Sequence, residues 1–209
     1  MKPSRLEQLS DGIFAIVMTV LVFEIKAPVL SDPVSAAELS IAIREMIPFF
    51  LSYLLSFALL FTYWRAHHFF VSVYAKNIDR NLTNINALFF LFLALIPFST
   101  SLLGKYNENQ FAIIIFGVHT MLIGFCLFGI RRYVFKSEHI KNIEVSAHEI
   151  HRGTIRLFVP VLFAFLAIIL SFVNKNLSLG LFTAAVIFNF SHTNMTLINK
   201  FFKVKEPGT

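Results

Sequence analysis

The chain has 209 residues, of which 56% are hydrophobic, and a formal net charge of +6 at pH 7. Water-soluble domains have an apolar fraction of about 45–50%, so this composition excludes a soluble domain and predicts a membrane protein. The single cysteine, Cys126, excludes an intrachain disulfide. The basic residues stand in short loops beside apolar runs and not on one face, which argues against binding to nucleic acid.

Six apolar segments are long enough to cross a membrane. A bilayer core about 30 Å thick requires roughly 20 apolar residues in a helix, and a helix satisfies its own backbone hydrogen bonds in lipid. The predicted fold is therefore one all-α membrane domain over residues 1–209, with six transmembrane helices and no strands. The predicted spans are Gly12 to Val29, Ile47 to Trp64, Leu82 to Leu103, Phe111 to Ile130, Leu157 to Val173 and Leu177 to Ile198.

The distribution of lysine and arginine predicts the orientation of these spans. Only four of the 18 basic residues fall on the side opposite the N-terminus: Lys26, Arg44, Lys105 and Lys175. The positive-inside rule therefore places both termini in the cytoplasm. The longest connection, from about Arg131 to Arg156, is predicted to be cytoplasmic and able to form an interfacial helix.

Polar side chains crowd the cytoplasmic end of the first span. Arg5, Glu7, Ser10 and Asp11 lie here, and an ionised side chain buried among helices needs a partner from another span. Partners are expected from the second connection and the start of the third span: His67, His68, Asp79, Asn84 and Asn86. One hypothesis is a polar network that joins the first two or three helices. The other is an ordinary interfacial anchor, with Arg5 at the lipid phosphates.

One stripe of the first span has a distinctive composition. Gly12, Ile16, Thr19 and Phe23 are spaced by 4, 3 and 4 residues, which places them on one side of a helix. Large apolar residues can constrict and dewet a pore, and a hydroxyl can offer oxygen to a cation. The same pattern is also typical of plain helix packing in membranes.

At this point the sequence resembles a known family. Arg5-x-x-x-Leu9-Ser10-Asp11, which leads into the first of six spans, is similar to the Arg-x-x-x-Phe-Ser-Asp signature of the transmembrane protein 175 family of potassium channels. The run that follows Asp11 resembles the family's first helix, and Trp64-Arg65-Ala66-His67-His68 resembles the end of its second. Leu9 departs from the signature aromatic.

The resemblance implies a potassium-selective channel whose first helices surround the pore at the oligomer axis, without a carbonyl filter. It assigns Ile16 to the hydrophobic constriction, Thr19 to a polar selectivity layer and Phe23 to an outer apolar layer, where the family more often has an aliphatic residue. Single-unit relatives are tetramers, so the resemblance implies a homotetramer. It also implies a multi-pass protein of a bacterial plasma membrane that conducts potassium ions without a cofactor or bound metal.

The network of Arg5, Ser10, Asp11, His67 and His68 is expected to affect assembly or gating more than selectivity. The alternative function is a secondary transporter of protons or a small solute, with His119, His67 and Asp11 as titrating groups. An enzyme is disfavoured because the sequence offers no carboxylate pair, metal-ligand cluster or nucleophile with its base.

Overall fold

A computed structural model describes residues 3–142 and 147–190, and every regular element in these ranges is helical. The helices are α1 (Pro3–Val20), α2 (Ala36–Glu45), α3 (Ile47–His68), α4 (Arg80–Ala94), α5 (Ile96–Lys105), α6 (Gln110–Lys136), α7 (Ala147–Ser171) and α8 (Lys175–Phe190). A 3-10 turn, Leu21–Glu24, continues α1, and a π-helical turn, Phe69–Val73, continues α3.

Four stretches of the described residues are long and apolar enough to cross a membrane: Ser4–Glu24, Ile47–Val73, Arg80–Lys105 and Gln110–Lys136. A shorter apolar helix covers Leu157–Ser171. The all-helical membrane fold is therefore confirmed. The count of six spans stays a prediction, and the part of the sixth predicted span beyond Phe190 lies outside the described residues.

Several predicted boundaries were wrong. The first span begins and ends earlier than Gly12 to Val29, because the polar signature is itself helical and the chain becomes extended after Glu24. The second helix continues past Trp64, so His67 and His68 lie within it and not in a connection. The third span consists of two helices that meet at Leu95, two residues before Pro97, whose missing N–H cannot continue the helix.

The long connection after the fourth span also differs from the prediction. α6 extends to Lys136 and α7 begins at Ala147, so the connection is shorter than predicted and its described residues 137–142 contain no helix. They run beside the α3–α4 connection, where Ala75 and Lys141 form an isolated antiparallel bridge. The amide N–H of Lys76 donates to Ile140 O at 2.7 Å. We call this side of the molecule, where α1 and α4 begin and α3 and α6 end, the N-terminal face, and the opposite side the far face.

The helices enclose one buried apolar core. α3 packs against α5, α6 packs against α4 and α7, and α7 packs against α8. The core contains Leu60, Phe89, Leu93, Phe116 and Leu127, all nearly inaccessible to solvent.

Two glycines of α6 allow α7 to approach closely. A Cβ atom on Gly117 would collide with Ile168, and one on Gly124 would collide with Val161. Small residues at such contacts increase van der Waals packing between membrane helices, where the hydrophobic effect contributes little.

Candidate functional site on the first helix

α1 presents two opposite sides. Phe14, Val17 and Leu21 are buried against the rest of the subunit, and Val17 is only 6% exposed. Ile16 is 63% exposed and Phe23 is 72% exposed. The stripe predicted from the sequence therefore points away from its own subunit.

Thr19 lies on this exposed side with Gly12. Its hydroxyl is within hydrogen-bond distance of two backbone carbonyls of the same helix, Ala15 O at 3.0 Å and Ile16 O at 2.9 Å. A hydroxyl has one proton to donate, and it keeps lone pairs on an oxygen that faces outward. The Thr19 hydroxyl is therefore exposed, and its oxygen retains the capacity to accept.

A buried chain of hydrogen bonds holds α1 at its N-terminal face. Ser10 Oγ is 3.0 Å from His67 Nδ1, and His67 Nε2 is 2.6 Å from Asn86 Oδ1. The three residues come from α1, α3 and α4, and all three are buried. The chain therefore joins three helices through one imidazole ring.

The orientation of the Asn86 amide determines which atom donates in each hydrogen bond of this chain. Its Nδ2 donates to Leu82 O at 2.8 Å, so its Oδ1 faces the ring and can only accept. His67 Nε2 is therefore the donor, and in the neutral ring Nδ1 must accept from the hydroxyl of Ser10.

Aromatic side chains surround His67. The ring of Phe89 stacks on the imidazole with a centroid separation of 5.1 Å and an interplanar angle of 4°. Phe14 and Phe90 approach it at 6.2 and 5.7 Å in tilted arrangements. Phe14 and Ser10 both belong to α1. The imidazole ring of His67 therefore contacts α1 through apolar packing and through a hydrogen bond. This dual contact sets the rotation of α1 that turns the stripe outward.

Two more polar contacts lie nearer the surface. Trp64 Nε1 donates to Asp11 Oδ1 at 2.8 Å, and His68 Nδ1 is 3.1 Å from Glu7 Oε1. Both link α1 to α3. Arg5 is exposed and has no hydrogen bond or ion pair with the described residues, so the geometry does not place it in the network as predicted.

Asp79 does not join this network, contrary to the prediction. It caps α4 by accepting from Leu82 N–H at 2.8 Å, and it also accepts from the hydroxyl of Tyr133. His139 Nε2 lies 3.3 Å from the same carboxylate. Partial burial raises the pKa of Asp79, but the hydrogen bonds that it accepts outweigh this effect and hold the pKa below its ordinary value.

The sequence indicated some members of this site better than others. Asn84 is exposed, whereas Asn86, two residues later, is buried and bonded to His67. Trp64 belongs to the segment that resembles the family, but no spacing in the sequence pairs it with Asp11. A polar residue within an apolar run is the only signal for Asn86, and the register of α4 decides which of the two asparagines faces inward.

Hydrogen bonds to the neighbouring span hold the side chain of His119 in place. Its Nδ1 is 2.8 Å from Ser99 Oγ, and its Nε2 is 2.9 Å from Phe92 O, beside the break between α4 and α5. Both ring nitrogens are therefore occupied by the neighbouring span. Within ranges 3–142 and 147–190, no group of three His, Cys, Asp or Glu side chains has a geometry suited to a metal ion.

Known proteins resemble this chain in both sequence and fold. Residues 5–97 match the family model described as endosomal/lysosomal potassium channel TMEM175. A potassium channel of Chamaesiphon minutus is 30% identical over 189 residues, which cover 88% of this chain and 92% of that protein. A potassium channel of Streptomyces collinus is 27% identical over 180 residues, covering 84% and 85%.

The fold comparison agrees. The crystal structure of a lysosomal potassium-selective channel TMEM175 homolog from Chamaesiphon minutus superposes with a TM-score of 0.76 and 26% identity, covering 90% of this chain and 95% of that one. A more distant relative, named an endosomal/lysosomal proton channel TMEM175 from Gallus gallus, is 30% identical over 111 residues. The match covers 51% of this chain and 22% of that protein.

Proposed function

This chain belongs to the family of the endosomal/lysosomal potassium channel TMEM175, and we propose that it forms a potassium-permeable leak channel of the bacterial plasma membrane. The family is one of channels and not of enzymes. In the proposed assembly, four copies of a six-span subunit place their α1 helices around a central axis, and both termini are cytoplasmic. The observation that carries the proposal is the outward orientation of Ile16, Thr19 and Phe23 on a helix that is otherwise held firmly against its subunit.

The three residues have separate roles in the proposed pore. A ring of Ile16 side chains forms the constriction, because an apolar ring narrow enough to expel water resists the passage of ions. A ring of Thr19 hydroxyls, one helical turn further, offers oxygen ligands to a partly dehydrated potassium ion. Phe23 rings form the outer apolar layer. Opening requires a movement of α1 that widens the Ile16 ring.

The flanks of α1 support a closed ring of subunits. On a helical wheel, the stripe lies between two different edges. One edge borders a groove of about 260 Å³ between α1 and α3, lined by Asp11, Phe14, Ala15, Met18, Phe61 and Trp64. The other edge, about 70° from the stripe, contains Leu9, Ile13 and Val20. Two unlike edges suit head-to-tail contacts, in which each subunit inserts one edge into the groove of the next and the ring closes.

The buried network has a supporting role in this mechanism. Ser10, His67 and Asn86 fix the end of α1 from which the stripe extends, and Asp11 and Trp64 fix it at a second point. The network therefore determines how far α1 rotates or tilts. Changes in it should affect gating and assembly before they affect ion selectivity.

A cysteine substitution tests the position of the stripe. In a Cys126→Ser background, Thr19→Cys should allow cadmium to block potassium flux from liposomes, because four thiolates around an axis can bind a soft metal. Val17→Cys, two residues away on the buried side, is the matched control and should not be blocked. If cadmium blocked both variants equally, or blocked neither, the result would contradict the proposal that α1 lines the pore.

The assembly is tested separately. Ala15→Trp should fill the groove between α1 and α3 and reduce the tetramer fraction measured by light scattering in detergent. Phe172→Trp, which lies at the exposed end of α7, is the control. A tetramer that persists unchanged in the Ala15→Trp variant would contradict the proposed contact.

A further inference from the structure

A second cavity lies at the far face, away from α1. It occupies about 360 Å³ between α3, α5 and α8. Its apolar wall includes Leu51, Leu55 and Leu179, and its polar lining includes Asn107, Asn176 and Thr183. A volume of this size is typical of ligand pockets that are mostly apolar and have a few polar groups at fixed positions.

The two lining asparagines lie where the helices end. Asn107 belongs to the connection between α5 and α6, and Asn176 is the second residue of α8. Neither side chain forms a hydrogen bond with any residue in the described ranges. The leucines extend from this end along the helices, and the hydroxyls of Ser52 and Thr183 between or beyond them donate to carbonyls of their own helices. The polar groups without a hydrogen-bond partner in the described ranges therefore lie at the mouth.

Two lysines stand beside the mouth. Lys105 is two residues before Asn107, and Lys175 immediately precedes Asn176, and both are exposed. These are two of only four basic residues assigned to this face. Glu108 is the one acidic neighbour in the α5–α6 connection, so the charge near the mouth is net positive.

We propose that this cavity binds an anionic phospholipid. Its acyl chain would lie along Leu51, Leu55 and Leu179, and its phosphate would receive hydrogen bonds from the amides of Asn107 and Asn176. The adjoining lysines would supply charge complementarity, since basic pockets between transmembrane helices recognise anionic headgroups.

A larger side chain at Gly180 can fill the cavity selectively. It lines the cavity, and a Cβ atom built on it meets nothing within 4 Å. Gly104 is different, because its Cβ would come within 2.7 Å of Ser52 Oγ. A phenylalanine at Gly180 can therefore occupy the space of the acyl chain without a backbone collision, and it removes a glycine that is unfavourable within a helix.

Native mass spectrometry tests the proposal directly. Protein purified from membranes is exchanged into detergent with equal amounts of phosphatidylglycerol and phosphatidylcholine, and the retained lipids are counted per subunit. The wild type should retain one phosphatidylglycerol per subunit, and Gly180→Phe should lower this occupancy at least tenfold. Leu177→Phe, on the exposed surface of the same helix outside the lining, should retain it.

A second pair of variants tests headgroup recognition. Lys105→Gln combined with Lys175→Gln should abolish the preference for phosphatidylglycerol over phosphatidylcholine without emptying the cavity. If Gly180→Phe does not fold, Thr183→Leu fills the same space from one turn further along α8. Absence of retained lipid in the wild type, or equal retention by the filled variants, would overturn the proposal. Lipid binding is measured without ion flux, so this result is independent of the channel assay.

Discussion

Removal of the Ser10 hydroxyl tests whether the buried chain of hydrogen bonds stabilises the fold. Ser10→Ala deletes one oxygen atom from a buried site and leaves His67 Nδ1 without its donor. Side-chain hydrogen bonds in membrane proteins contribute about 0.6 kcal/mol on average and up to about 1.7 kcal/mol. An unpaired buried acceptor costs about 1–3 kcal/mol. We therefore expect a loss of about 1–2 kcal/mol.

Thermal unfolding in detergent measures this loss. For a chain of this length, each kcal/mol lowers Tm by about 2–4 °C, so Ser10→Ala should lower Tm by about 2–8 °C. Ser40→Ala is the matched control, because Ser40 is exposed on α2 and its hydroxyl donates only to Ala37 O of the same helix. It should lower Tm by no more than about 2 °C.

A double-mutant cycle separates the hydrogen bond from a general packing effect. His67→Ala should lower the free energy of unfolding more than Ser10→Ala does, because it also removes the partner of Asn86 Oδ1 and the stacked contact with Phe89. In the His67→Ala background, Ser10→Ala should leave the free energy of unfolding almost unchanged, since the partner of the Ser10 hydroxyl is already absent. Additive losses in the cycle, or a Ser10→Ala loss no larger than that of Ser40→Ala, would refute the proposed chain.

Four further outcomes are expected. Ile16→Asn should wet the constriction and raise potassium flux severalfold in liposomes, and unchanged flux would exclude Ile16 from the pore. Thr19→Ala should reduce discrimination of potassium over sodium, and each tenfold loss would move the bi-ionic reversal potential by about 60 mV. His119→Leu should lower stability by about 1–3 kcal/mol, because it removes the hydrogen bonds to Ser99 and Phe92, but leave selectivity unchanged; loss of proton-coupled uptake would favour a transporter instead. Asp79 has a lowered pKa in the folded state. Its stabilising effect is therefore present above its ordinary pKa of about 3.9 and is lost as the pH falls below that value. Asp79→Asn keeps the helix cap and should flatten the dependence of stability on pH between about pH 5 and pH 3.

The sequence was sufficient to predict the class of fold and which residues share one side of the first helix. Spacing alone places Ile16 and Thr19 on one side, and burial of Val17 on the other side agrees with it. Spacing alone does not distinguish a pore from plain helix packing, because both environments accept an apolar stripe with one hydroxyl. The family relationship supplies that distinction as a proposal.

The partners within the network could not be predicted in full. His67 was expected to need a partner, but its contact with Asn86 depends on how far α4 rotates about its axis, which the pattern of apolar residues does not specify. Asp79 was predicted as a partner in the network because of its charge. Its position as the cap of α4 directs it toward Tyr133 and His139 instead.

The errors in helix boundaries share a physical cause. Hydropathy measures where lipid can surround a helix, whereas hydrogen bonding determines where the helix ends. The end of α3 is polar yet helical, because His67 has partners on α1 and α4. Within the apolar third span the helix breaks before Pro97, and the carbonyl of Phe92 near this break accepts from His119.

α3 is a single uninterrupted helix of 22 residues that reaches from one membrane face to the other. At 1.5 Å per residue it is about 33 Å long, so a tilt of about 5° about one end displaces the opposite end by about 3 Å. His67 lies at one end of this rigid rod, and Pro48 and Leu51 line the cavity at the other. A rigid tilt of α3 would therefore change the position of His67 and the width of the cavity at the far face together.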